Sequence, residues 1–227
     1  MFIPTRDSTY RLTPPFVTIG LITINVLIYL YQISIPEEQL YDWFRTFGVV
    51  PIRLINGEGF FTLISSLFIH GNLLHLLGNM LYLWIFGDNI ETTLGHGKFL
   101  LFYILCGIVA TLSQVIVEPG LEQPVIGASG AISGVLGAYL IRYPRARVEV
   151  LIWFFIFIRR LWIPARYLLL FWFFMQLTNG LGSLSLEQSR GVAWFAHIGG
   201  FLAGIILLYL ILSYERKRIW KKIKNPN

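Results

Sequence analysis

The sequence VIGASGAIS (residues 125–133) places Ser129 among small residues at the start of an apolar segment. That segment ends before Pro144, because the residue before a proline disfavours the helical conformation. A helix over 129–143 would be about 22 Å long at about 1.5 Å per residue, roughly 8 Å less than the hydrocarbon core of a bilayer. Ser129 is therefore expected below one membrane surface, preceded by irregular backbone that only protein or a water-filled cavity can accommodate.

The composition of the whole chain is that of a membrane protein. Of its 227 residues, 56% are hydrophobic and 13% are charged, whereas soluble domains carry about 25% charged residues. The single cysteine, Cys106, excludes an intrachain disulfide. A positive net charge of +6 is compatible with nucleic-acid binding, but the positions of the basic residues along the chain indicate another role.

Six apolar segments predict membrane-spanning helices, since about 20 apolar residues cross a bilayer. The segments are 16–35, 72–95, 99–117, 129–143, 164–180 and 193–213. The sequence therefore predicts an all-α membrane protein, a six-transmembrane-helix bundle with a short central fourth helix. Its parts are a cytoplasmic N-terminal segment (1–15), the six-span domain (16–213) and a basic cytoplasmic tail (214–227).

One apolar segment, 148–158, is too short to cross a membrane. It is rich in β-branched and aromatic residues, and Arg159-Arg160 end it. These residue types favour strands. We interpret the segment as interfacial, with a hairpin as one form it can take.

The Lys and Arg residues indicate the orientation. With the N-terminus inside, fifteen of the 18 lie in inner segments, and Arg45, Arg53 and Arg190 lie in outer loops. Such asymmetry places both termini in the cytoplasm, and we expect the bacterial inner (plasma) membrane. The basic tail is then predicted to bind anionic lipid, and no nucleic-acid partner is predicted.

Polar residues at membrane depth are costly and usually functional. His75 and Asn79 lie four residues apart and share one helical face, and His197 lies in the sixth segment. Counted at about 1.5 Å per residue from the outer ends, Asn79 is about 10 Å deep and His197 about 6 Å deep. Together with the sunken Ser129, they predict one water-accessible pocket that opens outward.

These residue types suit acyl-transfer chemistry. Ser129 at a helix N-terminus has free backbone N–H groups and the positive end of the helix dipole nearby, which favours an oxyanion. Asn79 and His75 can add side-chain donors, and His197 is the candidate general base. Because no carboxylate is available at this depth, the prediction is a Ser–His dyad, with Gly127 allowing the sharp turn before the serine.

Glycines predict how the serine and the histidine meet. Gly130 and Gly134 in the fourth segment, and Gly200 and Gly204 in the sixth, form small-residue ridges. Such ridges allow two helix backbones to approach closely. Close approach of the two segments would bring Ser129 and His197 within hydrogen-bonding distance.

Four motifs together resemble the rhomboid intramembrane serine proteases. They are HGNLLHLLGN (70–79), FGDNIETTLG (86–95), GASGAISG (127–134) and AHIGGFLAG (196–204). The resemblance implies a rhomboid bundle that hydrolyses peptide bonds in or near the transmembrane segments of single-span membrane proteins, without a cofactor or metal.

The resemblance also implies roles for individual residues. Ser129 would be the nucleophile and His197 the base, while His75, Asn79 and the Ser129 backbone N–H would bind the oxyanion. Glu91 matches a structural acidic residue. His70 is a supporting residue, either of the first outer loop or of the site itself.

The sequence departs from the family pattern at two places. Phe61-Thr62 stands where many members carry a Trp-Arg pair, and Ser133 stands where some carry an aromatic residue that packs on the catalytic histidine. Another group must therefore support His197, and Trp194 is a candidate.

Three other functions remain open. His70 and His75 could suggest a zinc protease, although they lack the HExxH spacing, and zinc dependence would favour it. A non-catalytic rhomboid-like protein would bind membrane clients even without its serine. A transporter also uses broken helices and buried polar groups, and would show solute flux.

Overall fold

The computed structural model describes residues 2–9, 13–154, 157–185 and 191–224. In chain order, its elements are β1 (Phe2–Asp7), α1 (Phe16–Gln32), α2 (Glu37–Phe47), α3 (Pro51–Ile55), α4 (Thr62–Ser65), a 3₁₀ turn (Ser66–Phe68), α5 (Leu73–Leu94), α6 (His96–Val117), α7 (Ser129–Arg142), β2 (Arg147–Phe154), β3 (Phe157–Pro164), α8 (Ala165–Ser185) and α9 (Trp194–Lys224). Helices α1 and α5 to α9 lie at the six predicted segments.

Several of these helices mark the chain as an integral membrane protein. Within the described residues, three helical stretches are long and apolar enough to cross a bilayer: His96–Val117, Ala165–Leu184 and Trp194–Arg218. The apolar helix Phe16–Gln32 is shorter. Helix α5 carries buried Asp88 and Glu91, and α7 has only 14 residues. The count of six spans stays a prediction.

Helix α5 and its two caps coincide with the predicted segment 72–95. The Asn72 side chain accepts a hydrogen bond from the His75 backbone N–H at 2.9 Å, which caps the helix. Gly95 ends it with a φ of +78°, a conformation that favours glycine. Helix α5 therefore begins two residues before His75, which fixes the position of its polar face along the helix.

Helix α7 lies at the centre of the fold, packed against α5, α6 and α9. Its contact with α9 depends on the two glycine ridges, which face each other. A Cβ atom added at Gly200 would overlap the carbonyl oxygen of Gly130, and one added at Gly204 would overlap that of Gly134. The two backbones are therefore in direct contact, and no larger residue fits.

A three-stranded antiparallel sheet in the order β1-β2-β3 accompanies the helices. Strands β2 and β3 pair from Arg147↔Pro164 to Phe154↔Phe157, which agrees with the hairpin form of the prediction for this segment. Strand β1 is not foreseen, because a six-residue strand containing Pro4 gives little strand signal. The protein is thus mostly helical rather than all-α.

Strand β1 also holds the C-terminal end of α7. The Tyr139 hydroxyl donates to the Asp7 carboxylate at 2.5 Å, and the Asn89 amide of α5 donates to the same carboxylate at 3.0 Å. Tyr139 is fully buried. These bonds tie β1, α5 and α7 together at the end of α7 opposite Ser129.

Helix α9 runs beyond its predicted end at residue 213. It continues through the basic sequence to Lys224, so the first part of the predicted tail is helical. Lys98 at the start of α6 pairs with Glu215 on this extension. Three parts of these predictions lie outside the described residues: 225–227 of the predicted tail, 1 and 10–12 of the predicted N-terminal segment, and Arg190 of a predicted outer loop.

Candidate active site

Ser129 and His197 meet at one end of the α7–α9 contact. Ser129 is the first residue of α7, and His197 lies in the first turn of α9. The Ser129 Oγ and the His197 Nε2 are 2.8 Å apart, within hydrogen-bonding distance. Both residues are partly exposed. This is the spacing at which an imidazole can take a proton from a hydroxyl nucleophile.

The turn before Ser129 is held by the segment that connects α1 and α5. Gly127 has a φ of +119°, which side chains rarely adopt, and its N–H donates to the Ser66 carbonyl at 2.9 Å. Two residues earlier, Val125 forms an antiparallel bridge with Val49. The irregular backbone at the start of α7 is therefore covered and hydrogen-bonded by protein.

His75 and Asn79 adjoin this turn, as their shared helical face predicts. A Cβ atom built on Gly127 would lie 2.8 Å from the His75 Nε2 and 3.7 Å from the Asn79 Nδ2. Asn79 is buried, and among the described residues its Nδ2 has no hydrogen-bond partner. The Gly71 N–H donates to the His75 Nδ1 at 3.4 Å, which leaves the proton on Nε2. Both side chains can therefore donate next to Ser129.

These four side chains line a single cavity of about 570 Å³. Its remaining wall includes Leu74, Gly78, Tyr82, Ile132, Leu136, Trp172 and Val192. Most of the remaining wall is apolar or aromatic, and Asn72 and Ser133 are further polar residues in it. Such a wall suits an apolar peptide segment, and the volume falls within the range of ligand sites.

His197 has supports that the sequence analysis missed. The Gln176 Oε1 of α8 is 2.8 Å from the His197 Nδ1. The rings of Trp172 and Trp194 lie 6.0 and 6.2 Å from the imidazole, so the expected neighbour Trp194 is present together with a second tryptophan. Ser133 does not reach His197, since its hydroxyl donates to the Ser129 carbonyl at 2.6 Å.

A sequence signal for Gln176 existed. It is an amide within a mostly apolar segment, and polar groups in predicted membrane spans are usually functional. Counted from the start of α8 at Ala165, it lies about 16 Å along the helix at about 1.5 Å per residue. Comparing that distance with the depth counted for His197 could have shown whether the two side chains lie at a similar level.

Another missed amide, Gln114 of α6, holds the start of α9. Its Oε1 accepts from the backbone N–H groups of Phe195 and Ala196 at 3.1 and 3.2 Å. These are orphan donors of the first helical turn. Gln114 therefore fixes the helix end that carries His197.

His70 lies behind the cavity rather than on its wall. It is fully buried, and its carbonyl accepts from the Gln32 side chain at 2.6 Å. Its ring centroid is 5.0 Å from that of His75. Burial and the neighbouring His75 lower the pKa of His70 to about 3, so its ring is neutral near pH 7. The geometry is that of a residue that packs behind His75.

The predicted supporting glycines lie where close packing requires them. A Cβ atom added at Gly130 would lie 2.7 Å from the Ala110 side chain of α6. Gly200 faces the Gly130 carbonyl, as described above. Gly130 therefore sits between α6 and α9 directly after Ser129, and a side chain there would displace the serine.

Glu91 lies near the C-terminal end of α5, away from the cavity. Its buried carboxylate accepts from the backbone N–H groups of Val17 and Thr18 at 2.9 and 2.8 Å, which caps α1. The His96 Nδ1 is 2.5 Å from the same carboxylate. His96 is thus paired through its ring although nearly half of its side chain is exposed.

Comparisons with known proteins agree with this architecture. A family model described as the rhomboid domain matches residues 57–214. YdcA from Bacillus subtilis (strain 168), whose name proposes a rhomboid protease, is 33% identical to this chain over 141 residues. The match covers 62% of this chain and 69% of YdcA. Rhomboid protease GluP from the same organism is 37% identical over 137 residues, covering 60% of this chain and 26% of GluP.

A mitochondrial relative covers more of the chain. The presenilin-associated rhomboid-like protein of Bos taurus is 29% identical over 212 residues, which are 89% of this chain and 49% of that protein. The chain therefore spans about half the length of this relative.

Proposed function

The chain belongs to the rhomboid family, and from that premise we propose that it is an intramembrane serine endopeptidase. It hydrolyses peptide bonds in or near the transmembrane segments of membrane proteins. The hydrogen-bonding distance between Ser129 Oγ and His197 Nε2, at the start of α7 and beside a cavity, is the observation that carries the proposal.

The first step is acylation of Ser129. As the serine Oγ bonds to the carbonyl carbon of the substrate, its proton passes to the His197 Nε2. Negative charge moves to the carbonyl oxygen, where the Ser129 backbone N–H, the Asn79 Nδ2 and the His75 Nε2 donate hydrogen bonds. The carbon–nitrogen bond then breaks, and His197 gives its proton to the leaving amine.

The second step is hydrolysis of the acyl-enzyme. A water molecule gives a proton to the His197 Nε2 and bonds to the acyl carbon. The same three donors hold the second oxyanion. When the bond between this carbon and the Ser129 Oγ breaks, the proton returns to the serine and the carboxylate product leaves. No further reactant is needed, so cofactors do not enter the scheme.

The proposed orientation of the chain in the membrane is the one that the sequence predicts. Six spans would place both termini in the cytoplasm of a bacterial cell, with the cavity open to the outer side. The helical extension of α9 up to Lys224 would lie against anionic lipid. Single-span membrane proteins are the proposed substrates, and a cleavage assay in liposomes with a panel of such proteins tests the function.

The oxyanion donors give a prediction about rates. Asn79→Ala and His75→Ala should each lower kcat more than they raise KM, because the donors act on charge that develops in the transition state. Loss of one donor typically lowers kcat by about 10²–10³, and sharing among three donors should reduce that factor here. Steady-state cleavage in liposomes measures both constants. An unchanged kcat in both single variants and in the double variant would remove these residues from the site.

The shape of the cavity gives a prediction about substrates. The turn at Gly127 leaves little space beside Ser129, so a small residue such as Ala should precede the cut. A helix must unwind before its peptide bond is exposed, and Gly or Pro lowers that cost by about 1 or 3 kcal/mol. We therefore expect cuts near the outer end of single-span proteins, with helix-breaking residues just beyond.

Mass spectrometry of the products checks this expectation. Replacing the helix breakers of the substrate with Leu should slow cleavage several-fold, and a bulky residue before the cut should nearly stop it. Cuts clustered at the cytoplasmic end, or rates indifferent to both changes, would refute this account of selectivity.

A further inference from the structure

Gln176 is the polar side chain of α8 that contacts the base of the proposed reaction. It is buried, with 6% of its surface exposed. Its Oε1 is 2.8 Å from the His197 Nδ1, on the side of the imidazole opposite Ser129. The contact therefore occupies the ring nitrogen that the proposed reaction does not use.

The orientation of the Gln176 amide is fixed by a second bond. Its Nε2 donates to the Trp172 carbonyl, one helical turn earlier, at 3.2 Å. The carbonyl end of the amide must then face His197. An amide oxygen can only accept, so the His197 Nδ1 carries the proton.

The tautomer at Nδ1 decides what Nε2 can do. A neutral imidazole with its proton on Nδ1 has a free lone pair on Nε2, and this is the form that can take the Ser129 proton. With the proton on Nε2, the ring would donate toward the serine and could not act as a base.

We propose that Gln176 is a positioning residue that holds His197 in the Nδ1–H tautomer and orients its ring toward Ser129; the proposal rests on the serine endopeptidase function above. Gln176 touches neither the substrate nor the reacting atoms. After proton transfer, both ring nitrogens of His197 donate, and Gln176 still accepts from Nδ1. The bond is thus satisfied in both protonation states of the ring.

Packing around the pair supports this role. Trp172, on the same face of α8, lies with its ring 6.0 Å from both His197 and Phe201 of α9. A turn of α8 therefore presents one aromatic and one amide contact to the same imidazole. Ser133, at the position where some family members carry an aromatic residue, bonds to its own helix instead. In this chain α8 supports His197 together with Trp194 of α9.

The test reads the tautomer directly. Nitrogen NMR of protein labelled with ¹⁵N only at histidine gives signals from four residues, and a His197→Asn sample identifies the signal of His197. The wild type should show a protonated Nδ1 and an unprotonated Nε2. In Gln176→Leu the Nδ1–H form should no longer dominate, whereas Gln176→Glu, which keeps an acceptor oxygen at the same reach, should retain it.

Kinetics give the second readout. Gln176→Leu should lower kcat by about 10²-fold with little change in KM, since a wrong histidine tautomer lowers kcat by up to about 10⁴ in a serine protease triad. Gln176→Glu should recover most of that loss. Thr178→Val is the matched control, because it also removes a polar group from α8 but at an exposed position, and it should change neither readout.

The outcomes separate this inference from the proposed function. A Gln176→Leu protein that keeps the Nδ1–H signal overturns the positioning role, as does a folded Gln176→Glu protein that loses it. Should Gln176→Leu fail to fold, the Gln176→Glu spectrum decides. If the wild-type protein cleaves nothing but Gln176→Leu still loses the Nδ1–H signal, the positioning role is upheld and the protease function is refuted.

Discussion

Ser129→Ala and His197→Ala are each expected to abolish cleavage while the protein still inserts into membranes and keeps its thermal stability. The serine supplies the bond-forming oxygen, and the histidine supplies the base 2.8 Å away. Removing such a nucleophile or base lowers kcat by a factor on the order of 10⁶ in a serine protease. Both side chains are only partly buried beside the cavity, so their loss removes little packing.

The measurement is product formation from a single-span substrate in liposomes, together with thermal unfolding in detergent. Ser34→Ala provides a matched control, since this serine is exposed just after α1 and donates to the nearby Tyr31 carbonyl. Cleavage by Ser129→Ala at more than trace rates would show that the serine mechanism is wrong. Equal loss in the control would point to damage to the fold.

Gly200→Ala and Gly204→Ala form the second prediction, and we expect both to lower stability and cleavage together. Added Cβ atoms would overlap the backbone carbonyl oxygens of Gly130 and Gly134. Because backbone cannot swing aside as a side chain does, α9 must move away from α7. Overpacking costs about 1–3 kcal/mol, and a displacement of about 1 Å at a reacting pair can lower a rate by about 10²-fold.

Gly20→Ala is the control for this pair. Gly20 lies in α1, and a Cβ atom there would meet nothing within 4 Å. Alanine should raise helix stability by up to about 1 kcal/mol and leave cleavage unchanged. Full activity of Gly204→Ala at an unchanged unfolding temperature would refute direct contact between the α7 and α9 backbones.

Much of the architecture near the cavity follows from local signals in the sequence. Asn72 and Gly95 mark the ends of α5, and the position of Asn79 along the helix follows from them by counting residues. The glycine spacing predicts that α7 meets α9, which brings Ser129 to His197. These inferences succeed because helix rise is regular and because only small residues permit close contact between helix backbones.

Other features depend on contacts between segments that are distant in the chain. Strand β1 exists through its pairing with β2 and the Asp7 bonds to Tyr139 and Asn89, none of which leaves a periodic pattern. In the sequence, Gln176 is one polar residue in a mostly apolar segment. Its contact with His197 becomes visible only when α8 packs against α9. Which side of a helix faces its neighbour is set by packing, and one sequence contains little information about it.

The most direct test of the central claim is mass spectrometry of the protein in liposomes after treatment with a fluorophosphonate, which reacts with activated serines. We predict a single adduct on Ser129 that blocks cleavage of a single-span substrate, with labelling greatly slowed in His197→Ala. An active protein that remains unlabelled at Ser129, or an unlabelled protein that binds single-span proteins without cleaving them, would contradict the account. The latter result would identify a non-catalytic rhomboid-like protein.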